Sequence, residues 1–122
     1  MRTVDLNIFQ KKLFERHTRE LELFLIEFRS SNDLFPCEIV VFGSSVRNEI
    51  KIFSDIDLAI ISDHFLDIPW VDRINYLKTE LTKKSRVISV IGITKKEFKD
   101  NRYPTIIRVV REMGIVLNIE IT

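Results

Sequence analysis

The chain has 122 residues, of which 45% are hydrophobic and 30% are charged, and its formal net charge at pH 7 is +1. This composition excludes a disordered chain, and the length predicts a single domain, 1–122, that can bury a core without disulfides or a structural metal. No apolar run reaches the roughly 18 residues that span a bilayer, and no signal-peptide pattern precedes the first element, so we expect a cytoplasmic protein without membrane association.

Cysteine, histidine and charge narrow the function classes further. Cys37 is the only cysteine, so no internal disulfide or cysteine zinc site can form, and a buried, unreactive thiol is expected. His17 and His64 fit no metal-ligand spacing, and His17 is expected to be an ordinary packed residue. With 19 basic against 18 acidic residues, the chain lacks the charge excess typical of nucleic-acid binding.

The first predicted element is an N-terminal amphipathic helix over about residues 4–29. Apolar residues and one histidine recur there at spacings of three and four, which places them on one stripe that we expect to pack on the sheet. The members of this stripe are Leu6, Phe9, Leu13, His17, Leu21, Phe24 and Phe28. Phe14, Leu23 and Leu25 fall off the stripe, so a second apolar face, used in a homodimer or a partner contact, remains open.

Four short apolar runs predict strands. Two of them, CEIVVFG at 37–43 and DIDLAIIS at 55–62, are separated by a polar stretch that predicts a turn. The third is RVISVIGIT at 86–94, and the last is IVLNIEI at 115–121. The strands therefore lie in the middle and at the end of the chain.

Helix signals fall between these strands. Pro69 suits the first turn of a helix, and Thr94 with Glu97 three residues later predicts a capping box. Pro104 begins a further short helix, which Gly114 ends. The order of elements predicts an α/β (α+β) domain in which helices cover at least one face of a sheet of about four strands.

Two carboxylates stand out inside the second predicted strand. Side chains alternate along a strand, so Asp55 and Asp57 share a face with Ala59 and lie roughly 6.5–7 Å apart. Like charges at that distance repel, and desolvation raises the cost. The pair is explained by exposure at the start of the strand, by basic partners, or by a divalent cation.

The preceding strand ends in a Gly-Ser pair that bears on this choice. Gly43 lets the backbone approach a ligand closely, and the following N–H groups with the Ser44 hydroxyl can hold phosphate oxygens. A phosphate cradle beside paired carboxylates forms a coherent site for a metal-bound triphosphate. Hard oxygen ligands favour Mg²⁺ or Mn²⁺ over zinc.

The stretch FGSSVRNEIKIFSDIDLAII resembles the signature of the DNA polymerase beta-like nucleotidyltransferase superfamily. Within that superfamily it is similar to the minimal nucleotidyltransferases, whose typical stretch has Gly-Ser followed by Ser-Asp-Ile-Asp-Leu on the next strand. Gly43, Ser44 and Arg47 match this pattern, and residues 54–58 match it in full. The run YPTIIRVVREMGIVL, at 103–117, resembles the closing helix, glycine and strand of the same family.

The resemblance implies a nucleotidyltransferase-like fold, a small mixed sheet with helices packed on one face. It implies that Asp55 and Asp57 bind the catalytic Mg²⁺ or Mn²⁺, and that nucleotide phosphate is bound by Gly43, Ser44, Ser45 and Arg47. The reaction would transfer a nucleoside monophosphate from a nucleoside triphosphate, with ATP expected, to a protein or small-molecule acceptor. The implied partner is a HEPN-domain protein, of which this chain would be the antitoxin.

The sequence departs from the family pattern at three places. Ser45 stands where the signature has its first arginine, and Asn48 stands where it has a second glycine. Active members carry a third carboxylate on a later strand, but the matching run 86–94 contains no acidic residue, and Ser89 is the best equivalent position. A serine neither acts as a general base at neutral pH nor ligates Mg²⁺ strongly.

Other carboxylates do not obviously replace the missing one. Glu80 and Glu97 fall at helical positions, where we expect them to be solvated. Two interpretations therefore remain open: an active Mg²⁺-dependent nucleotidyltransferase, or a catalytically degenerate module of the same fold that binds and masks a partner protein.

Overall fold

A computed structural model describes residues 2–43, 55–82, 85–100, 102 and 105–119. In this part of the chain the strands form one mixed sheet in the order β1-β5-β2-β3-β4. Strand β1 pairs with β5 and β3 with β4 in parallel, whereas β2 is antiparallel to both of its neighbours. The strands are β1 (Thr3–Asp5), β2 (Cys37–Phe42), β3 (Ile56–Ser62), β4 (Ile88–Ile93) and β5 (Ile115–Asn118).

The helices alternate with these strands along the chain. They are α1 (Leu6–Gln10), α2 (Glu15–Ser30), α3 (Trp70–Leu77), α4 (Lys95–Lys99) and α5 (Thr105–Met113). Helix α3 continues into a π-helical turn, Lys78–Thr82, before the chain reaches β4. Among the described helices, none combines the length and apolar character that a membrane span requires.

The predicted α/β class and mixed sheet are confirmed, but two details differ from expectation. The described sheet has a fifth strand, β1, and helices lie against both of its faces rather than one. On one face, Phe24 and Phe28 of α2 and Leu77 of α3 belong to the core that contains Val41 and Leu58. On the other face, the core contains buried residues of α5 together with alternate residues of the same strands, namely Ile107, Val110, Val40, Ala59 and Ile61.

The cause of the two-sided layer lies in the composition of the central strands. In β2 the residues from Ile39 to Phe42 are all buried, and in β3 five of the seven residues, Leu58–Ser62, are buried in succession. A strand that is apolar on both sides needs cover on both faces. Helices α4 and α5 supply the second cover.

The single helix predicted over residues 4–29 is wrong in its extent. Its first residues form β1, whose partners are Val116, Leu117 and Asn118 of β5, and a turn then separates α1 from α2. Pairing with the end of the chain supplies a ladder of hydrogen bonds that overrides the local helical pattern. The apolar stripe nonetheless remains on the inside, because the turn keeps Leu13 only 4% exposed.

The off-stripe residues of α2 divide into two groups. Leu25, predicted to lie off the buried face, is 1% exposed and belongs to the core. Leu23 and Ile26 are 60% and 59% exposed. A second apolar surface therefore exists on α2, centred on these two residues.

Cys37 and His17 behave as expected. The Cys37 thiol is half-buried, and burial raises its pKa to about 11, with Lys95 opposing and Glu38 adding to the shift. Such a thiol is protonated and unreactive at neutral pH. His17 is buried on the inner face of α2, beside Phe14.

One buried ion pair fixes α3 to the end of β4. The Arg73 guanidinium donates to Glu97 Oε1 at 2.6 Å and Oε2 at 3.2 Å, and also to the carbonyls of Ile68 at 2.7 Å and Gly92 at 3.2 Å. Glu97 in turn completes the predicted capping box, because its carboxylate accepts from the Thr94 N–H and its own N–H donates to Thr94 Oγ1. The expectation that Glu97 is solvated is therefore wrong.

We expect Arg73→Met to lower the free energy of unfolding by about 3 kcal/mol, because it leaves a mostly buried carboxylate and two carbonyls without their donor. The side chains of Arg73 and Glu97 are only 8% and 14% exposed. Urea denaturation at pH 7 measures the change. The matched control is Arg108→Met, whose pair with Glu112 is exposed and should cost less than about 0.5 kcal/mol. Equal losses in both variants would contradict the account.

The dependence of stability on acid pH tests the contribution of Glu97 to the same ion pair. Burial alone would raise the pKa of Glu97, but hydrogen bonds from Arg73 and Thr94 outweigh it and hold the pKa below its usual value. A depressed pKa adds stability above the unfolded pKa, about 4.3, and that stability disappears as the pH falls through the folded value. Glu97→Gln should therefore remove part of the acid-dependent loss of stability; an unchanged acid profile would contradict this assignment.

Candidate functional site

The antiparallel pairing of β2 with β3 creates the candidate site. The last residue of β2, Phe42, pairs with Asp57, so Gly43 lies beside the beginning of β3. Asp55 immediately precedes that strand. Gly43 and the two carboxylates, which are separated by a long polar stretch in the sequence, are thus brought together at one end of the two central strands.

Gly43 has two structural reasons to be glycine. Its φ is +74°, a conformation that residues with a side chain rarely adopt. In addition, a Cβ at this position would meet the Asp57 carboxylate, with the Asp57 Cγ only 3.2 Å away. The backbone of Gly43 therefore lies directly against the carboxylate.

Asp57 carries the electrostatic cost of this arrangement. It is half-buried, and its side chain lies on the same face of the sheet as Phe42 and Ala59. Burial raises its pKa, and the negative charge of Asp55 raises it further. Asp55 itself is exposed.

Of the three explanations for the carboxylate pair, exposure therefore accounts for Asp55 but not for Asp57. None of the ion pairs formed within the described residues involves either aspartate. A half-buried carboxylate with a like-charged neighbour and no described counter-ion is typical of functional sites. Two carboxylates two residues apart on a strand fit a divalent cation, which would supply the missing positive charge.

Ser89, which the sequence suggests as the equivalent of the third carboxylate, is the residue of β4 that pairs with Asp57. Strands β3 and β4 are parallel, and Asp57 pairs in register with Ser89, which is exposed. Paired residues on neighbouring strands point to the same face and lie about 4.8 Å apart across the ladder. Within the described residues, no group of three or more His, Cys, Asp or Glu side chains could hold a metal ion.

The phosphate-binding half of the site is placed only in part. Gly43 is described, whereas Ser44, Ser45, Arg47 and Asn48 lie outside the described residues. Their assignment to nucleotide phosphate stays a prediction from the sequence.

The other candidate carboxylates do not join Asp57. Glu97 is held by Arg73, as described above. Glu80 is exposed and lines a cleft with Glu20 and Leu23 of α2. Sequence reasoning missed Arg73, although its spacing of three from Trp70 and four from Leu77 puts it on the inner stripe of α3, where an arginine needs an acidic partner.

A second feature missed at the sequence level is a cleft of about 600 Å³ along the outer edge of β4, which we call the β4 cleft. Ser89 lines this cleft and pairs with Asp57, so the cleft lies next to the carboxylate site. Its polar lining consists of Lys78, Thr79, Thr82, Ser85, Arg86 and Ser89. None of the described residues that line it is acidic or aromatic.

Comparisons with known proteins give two matches. The family model described as "Nucleotidyltransferase domain" matches residues 21–117. A crystal structure at 1.40 Å resolution of a Sulfolobus solfataricus protein, provisionally assigned as a nucleotidyltransferase, has a similar fold. It superposes with a TM-score of 0.58 at 21% sequence identity, over 84% of this chain and 82% of the other. The comparison with curated proteins finds no match.

We expect Gly43→Ala to lower the free energy of unfolding by about 1–3 kcal/mol, because the new methyl group meets the Asp57 carboxylate and the positive φ is strained. A double-mutant cycle with Asp57→Ala separates these two causes. In the Asp57→Ala background the same substitution should cost less, since only the backbone strain remains. An identical cost in both backgrounds would show that Gly43 does not lie against Asp57.

Proposed function

Because the chain belongs to the nucleotidyltransferase domain family, we propose that it binds a nucleoside triphosphate with Mg²⁺ and transfers the nucleoside monophosphate to an acceptor hydroxyl. The observation that carries this proposal is the contact of the Gly43 backbone with Asp57, a half-buried carboxylate without a described counter-ion. That arrangement supplies a close backbone approach for phosphate and two anionic ligands for a metal within one short stretch of the sheet.

In the proposed mechanism, Asp55 and Asp57 would hold Mg²⁺ or Mn²⁺, and the cation would neutralise charge on the triphosphate. Gly43 and the residues that follow it would hold the phosphate oxygens. The acceptor hydroxyl attacks the α-phosphorus, an O–P bond forms, the bond to the bridging oxygen breaks, and pyrophosphate leaves. Positioning of the two reactants provides most of the acceleration.

The proton of the acceptor hydroxyl has no base on β4 in this chain. Ser89 occupies the position beside Asp57, and a serine hydroxyl does not accept a proton at neutral pH. We accordingly propose that β4 does not assist removal of the proton and that transfer is slow.

The substrate and the partner are proposed from the resemblance of the sequence alone. We take ATP as the nucleotide, a protein or a small molecule as the acceptor, and a HEPN-domain protein as the partner that the chain neutralises as an antitoxin. The site chemistry supports the triphosphate and the divalent cation, since both need oxygen ligands and charge neutralisation.

A specific observation favours a second function, a degenerate module that masks a partner protein. Ser89 stands in place of a carboxylate, and α2 exposes Leu23 and Ile26 beside a cleft that also contains Glu20 and Glu27. An exposed apolar pair with acidic neighbours is suited to a protein contact. A homodimer through the same surface is the alternative occupant.

The enzyme is tested by incubating the purified chain with α-labelled ATP, Mg²⁺ and, as the candidate partner, the protein that the neighbouring gene encodes. We expect label to appear on the partner, and to fall at least about a hundredfold in Asp55→Asn and Asp57→Asn, because each removes a charge that stabilises the transition state. The matched control is Asp72→Asn, an exposed aspartate of α3, which should leave transfer unchanged.

The two functions give opposite results in this assay. Label transfer that disappears only in the two site variants supports the enzyme. Absence of transfer, with partner binding that survives in both variants but is lost in Leu23→Glu and Ile26→Glu, supports the masking module and rejects the enzyme.

Replacing Ser89 by aspartate tests the third position directly. Because Ser89 is exposed and aligned with Asp57, Ser89→Asp should tighten Mn²⁺ binding by about tenfold, a gain typical of one added carboxylate ligand. Isothermal titration calorimetry measures the affinity, and Thr79→Asp, at an exposed position that also lines the β4 cleft, is the control for a general increase in negative charge. Equal gains in both variants would argue against a metal site beside Asp57.

A further inference from the structure

Strand β4 is the last strand of the described sheet, and only half of its backbone groups face β3. In a parallel ladder, alternate residues direct their N–H and C=O groups to opposite neighbours. The Ile56 N–H donates to the Val87 carbonyl at 2.6 Å, and Ile56 pairs with Ile88. Ser89 and Ile91 therefore bond to β3, whereas the backbone groups of the residues between and beside them point away from the sheet.

At each end of this outward-facing row, one backbone group has a partner. The Ile88 N–H donates to Ser85 Oγ at 3.1 Å. The Gly92 carbonyl accepts from Arg73 at 3.2 Å. Val90 lies between these two protected positions, and neither its N–H nor its C=O has a partner among the described residues on its outer side.

Val90 lines the β4 cleft, so the charged residues of the cleft lie close to this part of the strand edge. The charged residues of the cleft are Lys78 and Arg86, both exposed, and hydroxyl groups make up the rest of its polar lining. The cleft therefore offers hydrogen-bond donors and positive charge around an unpaired stretch of strand.

We propose that the β4 cleft binds an extended, acidic segment of a partner protein, which adds to the sheet as a short strand paired with Val90. Backbone pairing with an open sheet edge supplies affinity, and the positive charge of Lys78 and Arg86 selects acidic side chains. The protected ends at Ile88 and Gly92 confine the pairing to a short segment.

The same features disfavour a nucleic acid as the occupant. Single-stranded nucleic acid is held by aromatic side chains that stack on bases, and none of the described residues of the β4 cleft is aromatic. The Val90 N–H and C=O, which have no outer partner in the described part of the chain, match the donor and acceptor spacing of another extended peptide.

A segment bound in the β4 cleft would lie close to the carboxylate site. Ser89 lies in the cleft and is aligned with Asp57, so a bound segment passes next to the carboxylate site. The docking itself goes beyond nucleotidyl transfer and does not depend on it, and it can be measured without nucleotide or metal.

The probe is a fluorescein-labelled peptide of about seven residues, alternating Glu and Val, which matches a typical strand length. Fluorescence anisotropy measures its binding to the full chain. An otherwise identical peptide with its central amide N-methylated should bind at least about fivefold more weakly, because it cannot donate to the strand edge. The protein is unchanged in this comparison, so its folding is not in question.

Charge is tested with a matched pair of double variants. Lys78→Gln with Arg86→Gln should weaken binding of the acidic peptide at least about fivefold, whereas Lys96→Gln with Lys99→Gln, which removes two exposed charges from α4, should leave it unchanged. In the bound state, hydrogen exchange at the Val90 amide should slow, and the N-methylated peptide should not slow it to the same extent.

Three results would overturn the proposal. The first is the absence of peptide binding at about 1 mM, which corresponds to a negligible affinity. The second is equal binding of the methylated and unmethylated peptides, or equal losses in the two double variants. The third is displacement of the peptide by a single-stranded oligonucleotide at lower concentration, which would assign the β4 cleft to nucleic acid.

Discussion

The register of β2 against β3 is the constraint on which the site depends. Because Phe42 pairs with Asp57, the chain leaves β2 at Gly43 with its backbone against a carboxylate. A side chain there would have to displace the Asp57 carboxylate, and the positive φ of Gly43 is a conformation that favours glycine. A slip of one residue would turn Asp57 to the opposite face, which belongs to the core of α2 and α3.

This register places the Asp57 carboxylate in an electrostatically unfavourable environment. Asp57 is half-buried next to another aspartate, and its pKa is raised in consequence. The rest of the domain can support such a site because the strands that hold it are buried on both faces, with α2 and α3 on one side and α4 and α5 on the other. Arg73, held by Glu97, also donates to the Gly92 carbonyl and so ties α3 to β4, the strand on which Ser89 pairs with Asp57.

Much of this arrangement could be predicted from the sequence because its signals are local. Short runs of consecutive apolar residues located β2 and β3, the Thr94–Glu97 spacing identified the capping box, and the run from Ser54 to Leu58 identified the family. Ser89 was singled out because it is the polar interior position of the run 86–94, whereas its pairing with Asp57 is known only from the structure. Each of these depends on residues close together in the chain or on one recognisable motif.

The features that escaped prediction depend on contacts between distant residues. Strand β1 forms because Val4 pairs with Leu117. The apolar periodicity of the N-terminal segment does not indicate a partner so far along the chain. The ion pair of Arg73 with Glu97 joins α3 to α4, so neither residue reveals the other. The position of Val90 at the edge of the described sheet follows from strand order, which the sequence pattern left undetermined.

The central claim is that Asp55 and Asp57 together hold a divalent cation for a nucleotide bound at Gly43. The most direct measurement is a crystal structure of the chain with Mn²⁺ and a non-hydrolysable ATP analogue, with anomalous scattering used to locate the metal. The account predicts an anomalous peak about 2.1 Å from oxygens of both aspartates, with the triphosphate against the Gly43 backbone. A bound nucleotide with no metal at these aspartates, or a metal held elsewhere, would contradict it.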